Sequence, residues 1–222
     1  MCFSAVASFV TAGVTGGIGI VSLARAKHPR EMPLAAMPIF FAVQQSIEGV
    51  LWLNLPATPD ESVSTSLTLL FLLLADVFWP VYAPITVLLI EPSERRRRYM
   101  CLGLAMGAGV AAYLLWRILT SPHGASISDG HIVYAVEYTH PALVTVTVAL
   151  AYLAASSLAF LLSSQRILVA LGTVTLAGGV TAYAFYWEAF VSVWCFFAAV
   201  ASTIVLGHFE RARRQQLRMA RA

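Results

Sequence analysis

The sequence predicts an all-α membrane protein of seven transmembrane helices, with its N-terminus outside and its C-terminus cytoplasmic. Three observations carry that expectation. Only 11% of the 222 residues are charged and 59% are hydrophobic, with a mean hydropathy of +0.78. A soluble domain carries about 25% charged residues, so this chain lacks the polar surface to wrap a water-soluble globule. Seven stretches are long enough to cross about 30 Å of hydrocarbon, for which a helix needs roughly 20 apolar residues. Thirteen of the fourteen lysine and arginine residues then fall on one side of the membrane, whereas six or eight spans would scatter them. The same composition excludes disorder, collagen-like repeats and a secreted disulfide scaffold.

The spans run about 5–24, 32–53, 66–90, 100–119, 142–162, 167–187 and 191–208. They form one domain, 1–209, followed by a basic cytoplasmic tail, 210–222. Span 1 is not a signal peptide, because basic charge follows its apolar stretch instead of preceding it. Arg25, Lys27 and Arg30 follow span 1, and Arg95, Arg96, Arg97 and Arg98 follow span 3. Arg166 separates spans 5 and 6, and the tail holds Arg211, Arg213, Arg214, Arg218 and Arg221. By the positive-inside rule this face is cytoplasmic, which points to the inner or plasma membrane of a cell. The opposite face carries Asp60, Glu61, Asp129, Glu137 and Glu188, with Arg117 at the outer end of span 4. The pI of about 8.9 therefore reflects topology and attraction to anionic lipid, and no nucleic-acid partner is expected.

Most loops are short. The exception is the outer segment between spans 4 and 5, where Ser128-Asp129-Gly130 precedes a period-two run of Ile132, Tyr134, Val136 and Tyr138. That pattern predicts a short strand or hairpin over the outer mouth. Gly13 with Gly17, and Gly103 with Gly107, make small-xxx-small faces expected to mark close helix packing. Cys2, Cys101 and Cys195 have no metal-ligand spacing; Cys2 and Cys195 both fall near the outer face, so a disulfide and inert thiols are both open.

Ionisable groups inside a membrane are costly, so each is a functional candidate. Two acids qualify. In span 2, Gln45, Glu48 and Trp52 share one helical face, with Gln44 one turn from Glu48. Glu48 should lie roughly 9 Å below the outer end, and Asp76 of span 3 roughly 15 Å down, level with Gln44 and Gln45. Trp79 is one turn beyond Asp76, and Pro80 and Pro84 predict a kink there. Trp116 and Arg117 of span 4, Tyr183, Tyr186 and Glu188 of span 6, Trp194 of span 7 and Glu137 of the loop fall in the same outer half. Interfacial belts gather Trp and Tyr regardless of function, and the acids could form a purely structural network.

No metal or other cofactor is expected. His123, His131 and His140 match no ligand motif. A retinal protein would need a Schiff-base lysine within a span, and Lys27, the sole lysine, sits in a loop.

Several landmarks resemble a family of bacterial multi-pass membrane proteins of unknown function. They are Met1-Cys2-Phe3-Ser4-Ala5, Glu48-Gly49 with Trp52, Trp79-Pro80, Ile132-Val133-Tyr134 with Glu137, and the run from Tyr186 to Phe197. The resemblance covers nearly the whole chain and implies a multi-pass protein without supplying a mechanism. Seven spans with buried acids are also similar, at fold level only, to the membrane hydrolase superfamily containing alkaline ceramidases. That superfamily relies on intramembrane histidines around zinc, and no histidine here lies deep within a span.

The functional expectation is a non-enzymatic protein that binds a small molecule or lipid headgroup in an outward-facing polar and aromatic cavity. Gln44, Gln45, Glu48, Trp52, Asp76, Trp79, Arg117, Glu137, Tyr183, Tyr186, Glu188 and Trp194 are its candidate lining. The alternative is an intramembrane enzyme acting on a lipid or isoprenoid-type substrate, with Glu48 and Asp76 as an acid and base pair. Membrane lipid is the expected environment, and the oligomeric state is left open.

Overall fold

Helix α1 (Ala5–Arg25) turns a soluble helix inside out. It buries Ser8, Ala12, Thr15, Gly19 and Ser22 and points Val6, Val10, Val14 and Ile20 outward, Val6 being 72% exposed. Spacings of four and three residues align the buried set on one face. Small buried residues let a neighbouring backbone come close, while large apolar groups on the outside suit a lipid solvent. Ser4 caps the helix by accepting the Ala7 N–H.

The computed structural model describes residues 4–56, 61–136, 142–185 and 190–219. After α1 comes a 3-10 turn (Pro29–Glu31), then α2 (Met32–Asn54). Helix α3 (Glu61–Leu72), a π-helical segment (Leu73–Phe78) and α4 (Trp79–Ile90) follow one another without a gap. Helix α5 (Glu94–Thr120) leads into strands β1 (His123–Ser128) and β2 (His131–Val136). Helices α6 (Ala142–Leu161), α7 (Arg166–Phe185) and α8 (Phe190–Met219) complete the order. Among the described residues, six helical rods are long and apolar enough to cross a membrane: Ala5–Arg25, Pro29–Asn54, Glu61–Ile90, Glu94–Thr120, Leu143–Leu161 and Arg166–Phe185. Helix α8 adds a further 30 residues, running on from the last apolar stretch into the basic tail.

Helix α1 packs on α2 and α8, α8 on α7, α7 on α6, and α6 on both α4 and α5. Chain connections therefore gather at two ends, one holding the β-hairpin and the other most of the arginines. Close packing falls on a different glycine of α1 than the spacing predicts. Gly13, Gly17 and Gly103 have open space around them. A Cβ at Gly19 would instead meet the Ile39 side chain at 2.5 Å, and one at Gly107 would meet the Pro80 carbonyl carbon at 2.9 Å.

Next to Pro80 and Pro84, where the sequence predicts a kink, the helix carries the π-helical segment. In a π-helix each N–H reaches the carbonyl five residues back, so Pro80, lacking an N–H, orphans the carbonyl of Ala75. The Tyr152 hydroxyl of α6 donates to that oxygen. Pro84 likewise cannot serve the carbonyl of Pro80. Gly107 presents no side chain there, which lets α5 lie against it.

The outer-loop strand expectation is met by a two-stranded antiparallel hairpin, with Ser128 opposite His131. Asp129 (φ 48) and Gly130 (φ 74) are both left-handed, the requirement of a two-residue type I′ turn. Ile132 is fully buried against Ile47, Leu51, Phe71 and Ala75, and the Tyr134 ring lies flat on Phe71 at 4.1 Å. The hairpin thus covers one end of α2 and α3.

Candidate functional site

Helix α2 buries three polar side chains in succession on its inner face. Gln44 and Glu48 have no exposed surface and Gln45 almost none. Burying an amide or a carboxylate without partners costs several kcal/mol, so their contacts decide whether the arrangement is tolerable. Gln45 Nε2 donates to Glu48 Oε2 at 2.9 Å. Across the bundle, Trp79 Nε1 donates to Gln44 Oε1 at 2.9 Å. That bond ties α2 to α4. Beside Glu48, Gly49 leaves room for the Phe9 ring of α1, which a Cβ would meet at 2.7 Å.

Not every polar atom on this face is satisfied. Gln45 Oε1, an acceptor, and Trp52 Nε1, a donor, are buried with no hydrogen-bond partner, and so is Thr68 Oγ1 of α3. Buried polar atoms of native proteins are nearly always paired with protein or ordered water. The unpaired Gln45 acceptor and Trp52 donor lie on the same α2 face as Glu48.

Asp76 sits in the π-helical segment and is partly buried. Arg117, in the last turn of α5, is only 3% exposed, and its positive charge attracts the Asp76 carboxylate. A guanidinium held this deep is tolerable only where acceptors and opposite charge surround it. The π register advances the helix by one residue relative to an α-helix, which re-aims the side chains within it.

Trp79 also lines a second feature. A narrow cavity lies between α2, α4, α6, α7 and α8, walled by Phe41, Trp79, Tyr152, Phe160 and Trp194. It offers about 40 Å³ to the centres of water-sized molecules, enough for a few waters. Phe41 stacks on Trp79 with centroids 4.1 Å apart, and Tyr152 meets Trp194 edge to face at 5.2 Å. Trp194 Nε1 donates to the Thr175 carbonyl at 2.9 Å, and Gly179 leaves the space its indole needs. Ser156 contributes a buried hydroxyl with no partner to a largely apolar wall that also holds Thr175 and Ser202.

The candidate residues thus fall into two adjoining groups. Gln44, Gln45, Glu48 and Trp52 form a polar face on α2, with Asp76 and Arg117 on the neighbouring π-helical segment and α5. Trp79 joins that face to the aromatic cavity, where Trp194 lies. Trp116 is 54% exposed, as an interfacial belt residue would be, and Tyr183 is partly buried near the hairpin end of α7. Glu137, Tyr186 and Glu188 lie outside the described residues, as do Cys2, His140 and the side chain of Cys195, and with them the disulfide question. Phe41, Tyr152, Ser156, Phe160 and Thr175 were not foreseen. A tyrosine in mid-span, as Tyr152 is, was the one available signal.

Among the described residues, no three His, Cys, Asp or Glu side chains gather as a metal cage. In the hairpin, burial holds the His131 imidazole below its usual value, while Asp129 pulls it the other way.

Fold and site together define a mainly helical protein with a small β-hairpin and spanning-length apolar helices around a buried polar face and an aromatic cavity. The chain belongs to the family described as "Family of unknown function (DUF6629)", whose model matches residues 1–221. No curated protein and no solved structure matches it.

Proposed function

We propose that this chain is a seven-span integral membrane protein of the cell membrane that binds a small amphiphile or lipid headgroup. Its N-terminus lies outside and its C-terminus in the cytoplasm, on the strength of the one-sided basic residues. The polar part of the ligand meets Gln45, Glu48 and Trp52, and Asp76 and Arg117 balance its charge. Its apolar part runs past Trp79 toward the aromatic cavity. The observation that carries this reading is the unpaired Gln45 Oε1 and Trp52 Nε1 beside a fully buried Glu48. Each such buried unpaired atom costs about 1–3 kcal/mol, a cost that a polar ligand group placed between them would offset.

Native mass spectrometry of gently extracted protein tests the reading. A stoichiometric adduct is expected on the wild type, weakened in Gln45→Leu and lost in Glu48→Ala, with both variants folded. Wild type that never carries an adduct across several mild detergents, or an adduct retained unchanged by both variants, defeats it. A ligand that leaves the wild type chemically altered but Glu48→Gln intact would replace binding by catalysis.

A further inference from the structure

At the arginine-rich end, far from the polar face of α2, lies a broad cleft. It forms where the α1–α2 connection, the end of α4, the first turn of α5, the start of α7 and the far half of α8 converge. It offers about 880 Å³ to the centres of water-sized molecules. Arg30, Arg97, Arg166 and Arg211 line it, each from a different element and each exposed.

Two carboxylates share the cleft, and both are already engaged by the backbone. Glu31 Oε2 accepts the N–H groups of Lys27 and His28, at 2.9 and 3.3 Å. Glu91, 3% exposed, accepts the Ser163 hydroxyl at 3.0 Å and the Ser164 N–H at 2.9 Å through Oε2, and the Ser93 N–H at 3.3 Å through Oε1. Arginines elsewhere at this end do find internal partners. Arg25 and Arg214 both pair with Glu210, at 2.8 and 3.0 Å, and Arg96 donates to the carbonyls of Leu162 and Ser163. Among the described residues, none of the four cleft arginines has an ion-pair partner.

Topology alone does not require this choice of residue. Lysine and arginine serve the positive-inside rule equally, yet the chain has thirteen arginines and one lysine. Arginine differs in its planar fork of donors, which matches the oxygens of phosphate two at a time. Four such forks around one cleft exceed what a single phosphate can engage.

We propose that this cleft binds an anion carrying two phosphate groups, held by Arg30, Arg97, Arg166 and Arg211. Two sources share that chemistry: the headgroup of a lipid with two phosphates, and a soluble diphosphate. On the orientation proposed above, both would approach from the cytoplasmic side.

The test uses the full chain in nanodiscs. Inorganic pyrophosphate is titrated by calorimetry in discs of pure phosphatidylcholine. Separately, thermal stability is compared between those discs and discs containing cardiolipin. At least one probe is expected to bind the wild type. That binding should fall at least tenfold in Arg166→Gln/Arg211→Gln, and be unchanged in Arg95→Gln/Arg98→Gln, which removes the same charge outside the cleft. Arg97→Lys/Arg166→Lys keeps the charge but loses the fork, and should weaken binding several-fold. Should the glutamine variant fail to fold, the lysine variant gives the same reading. Pyrophosphate binding without a cardiolipin effect assigns the soluble source, and the reverse assigns the lipid. The proposal is overturned if neither probe acts on the wild type, or if the two glutamine variants lose binding equally.

Discussion

Gly107→Ala adds one methyl group at the tightest helix contact, and its cost can be set against a control four residues away. The new Cβ would sit 2.9 Å from the carbonyl carbon of Pro80 and closer still to its oxygen. Carbonyl atoms cannot rotate aside as a side chain can, so α5 and α4 must part by on the order of 1 Å in a densely packed interior. Overpacking of this kind costs about 1–3 kcal/mol. Parting the helices also loosens the Pro80 turn, next to the π-helical segment. Replacing glycine by alanine within a helix returns up to about 1 kcal/mol. The net expectation is a loss of about 1–2 kcal/mol. Gly103→Ala on the same helix meets nothing within 4 Å, so only the propensity gain operates and the variant should be neutral or slightly stabilised. Thermal unfolding of both variants in one detergent, followed by tryptophan fluorescence, makes the comparison. Equal midpoints for the two would refute the contact between Gly107 and the Pro80 carbonyl.

Tyr152→Phe removes the hydroxyl that serves the Ala75 carbonyl; leaving that oxygen unpaired should destabilise by about 1–3 kcal/mol, read by the same unfolding assay. A double-mutant cycle of Gln44→Leu and Trp79→Phe should show a coupling of about 1 kcal/mol, and strict additivity would mean the indole does not bond the amide. Burial would raise the Glu91 carboxyl, but hydrogen bonds from Ser164, Ser93 and Ser163 outweigh it and hold it below its usual 4.5. A carboxyl depressed on folding stabilises above its unfolded value and loses that stabilisation as pH falls through the folded one. Wild type should therefore lose stability below about pH 4.5 more steeply than Glu91→Gln, and parallel pH profiles would count against the clip. Gly130→Val places a branched residue at φ 74 and should fray the hairpin, seen as faster amide exchange across β1 and β2.

What the sequence revealed follows from which forces leave periodic marks. Span-length apolar runs and sorted arginines are such marks, and the helices follow them closely. The α5 helix starts at Glu94 and α8 runs to Met219, because charged residues continue a helix once it leaves an apolar stretch. The Asp129-Gly130 pair is a local signal for a type I′ turn, and the hairpin was legible from it. The helical-face pattern of Gln45, Glu48 and Trp52 likewise placed them together. The π-helical segment was not legible, since Pro80 announces a lost hydrogen bond without saying how the chain absorbs it. Tyr152, which supplies the remedy, stands on another helix, and no local pattern links it to Ala75. The cleft arginines show the same limit: counting charges assigns them a side, and only tertiary contacts reveal which ones the protein leaves uncommitted.

The pairing of Arg25 with Glu210 joins the far end of α1 to α8. During synthesis, α1 meets α2 within one loop's length, but its contact with α8 waits until the remaining helices have been inserted. For that interval the flank of α1 that meets α8 is uncovered. A chain halted before α8 emerges lacks the closing stave of its bundle, and it presents Arg25 without its counter-charge.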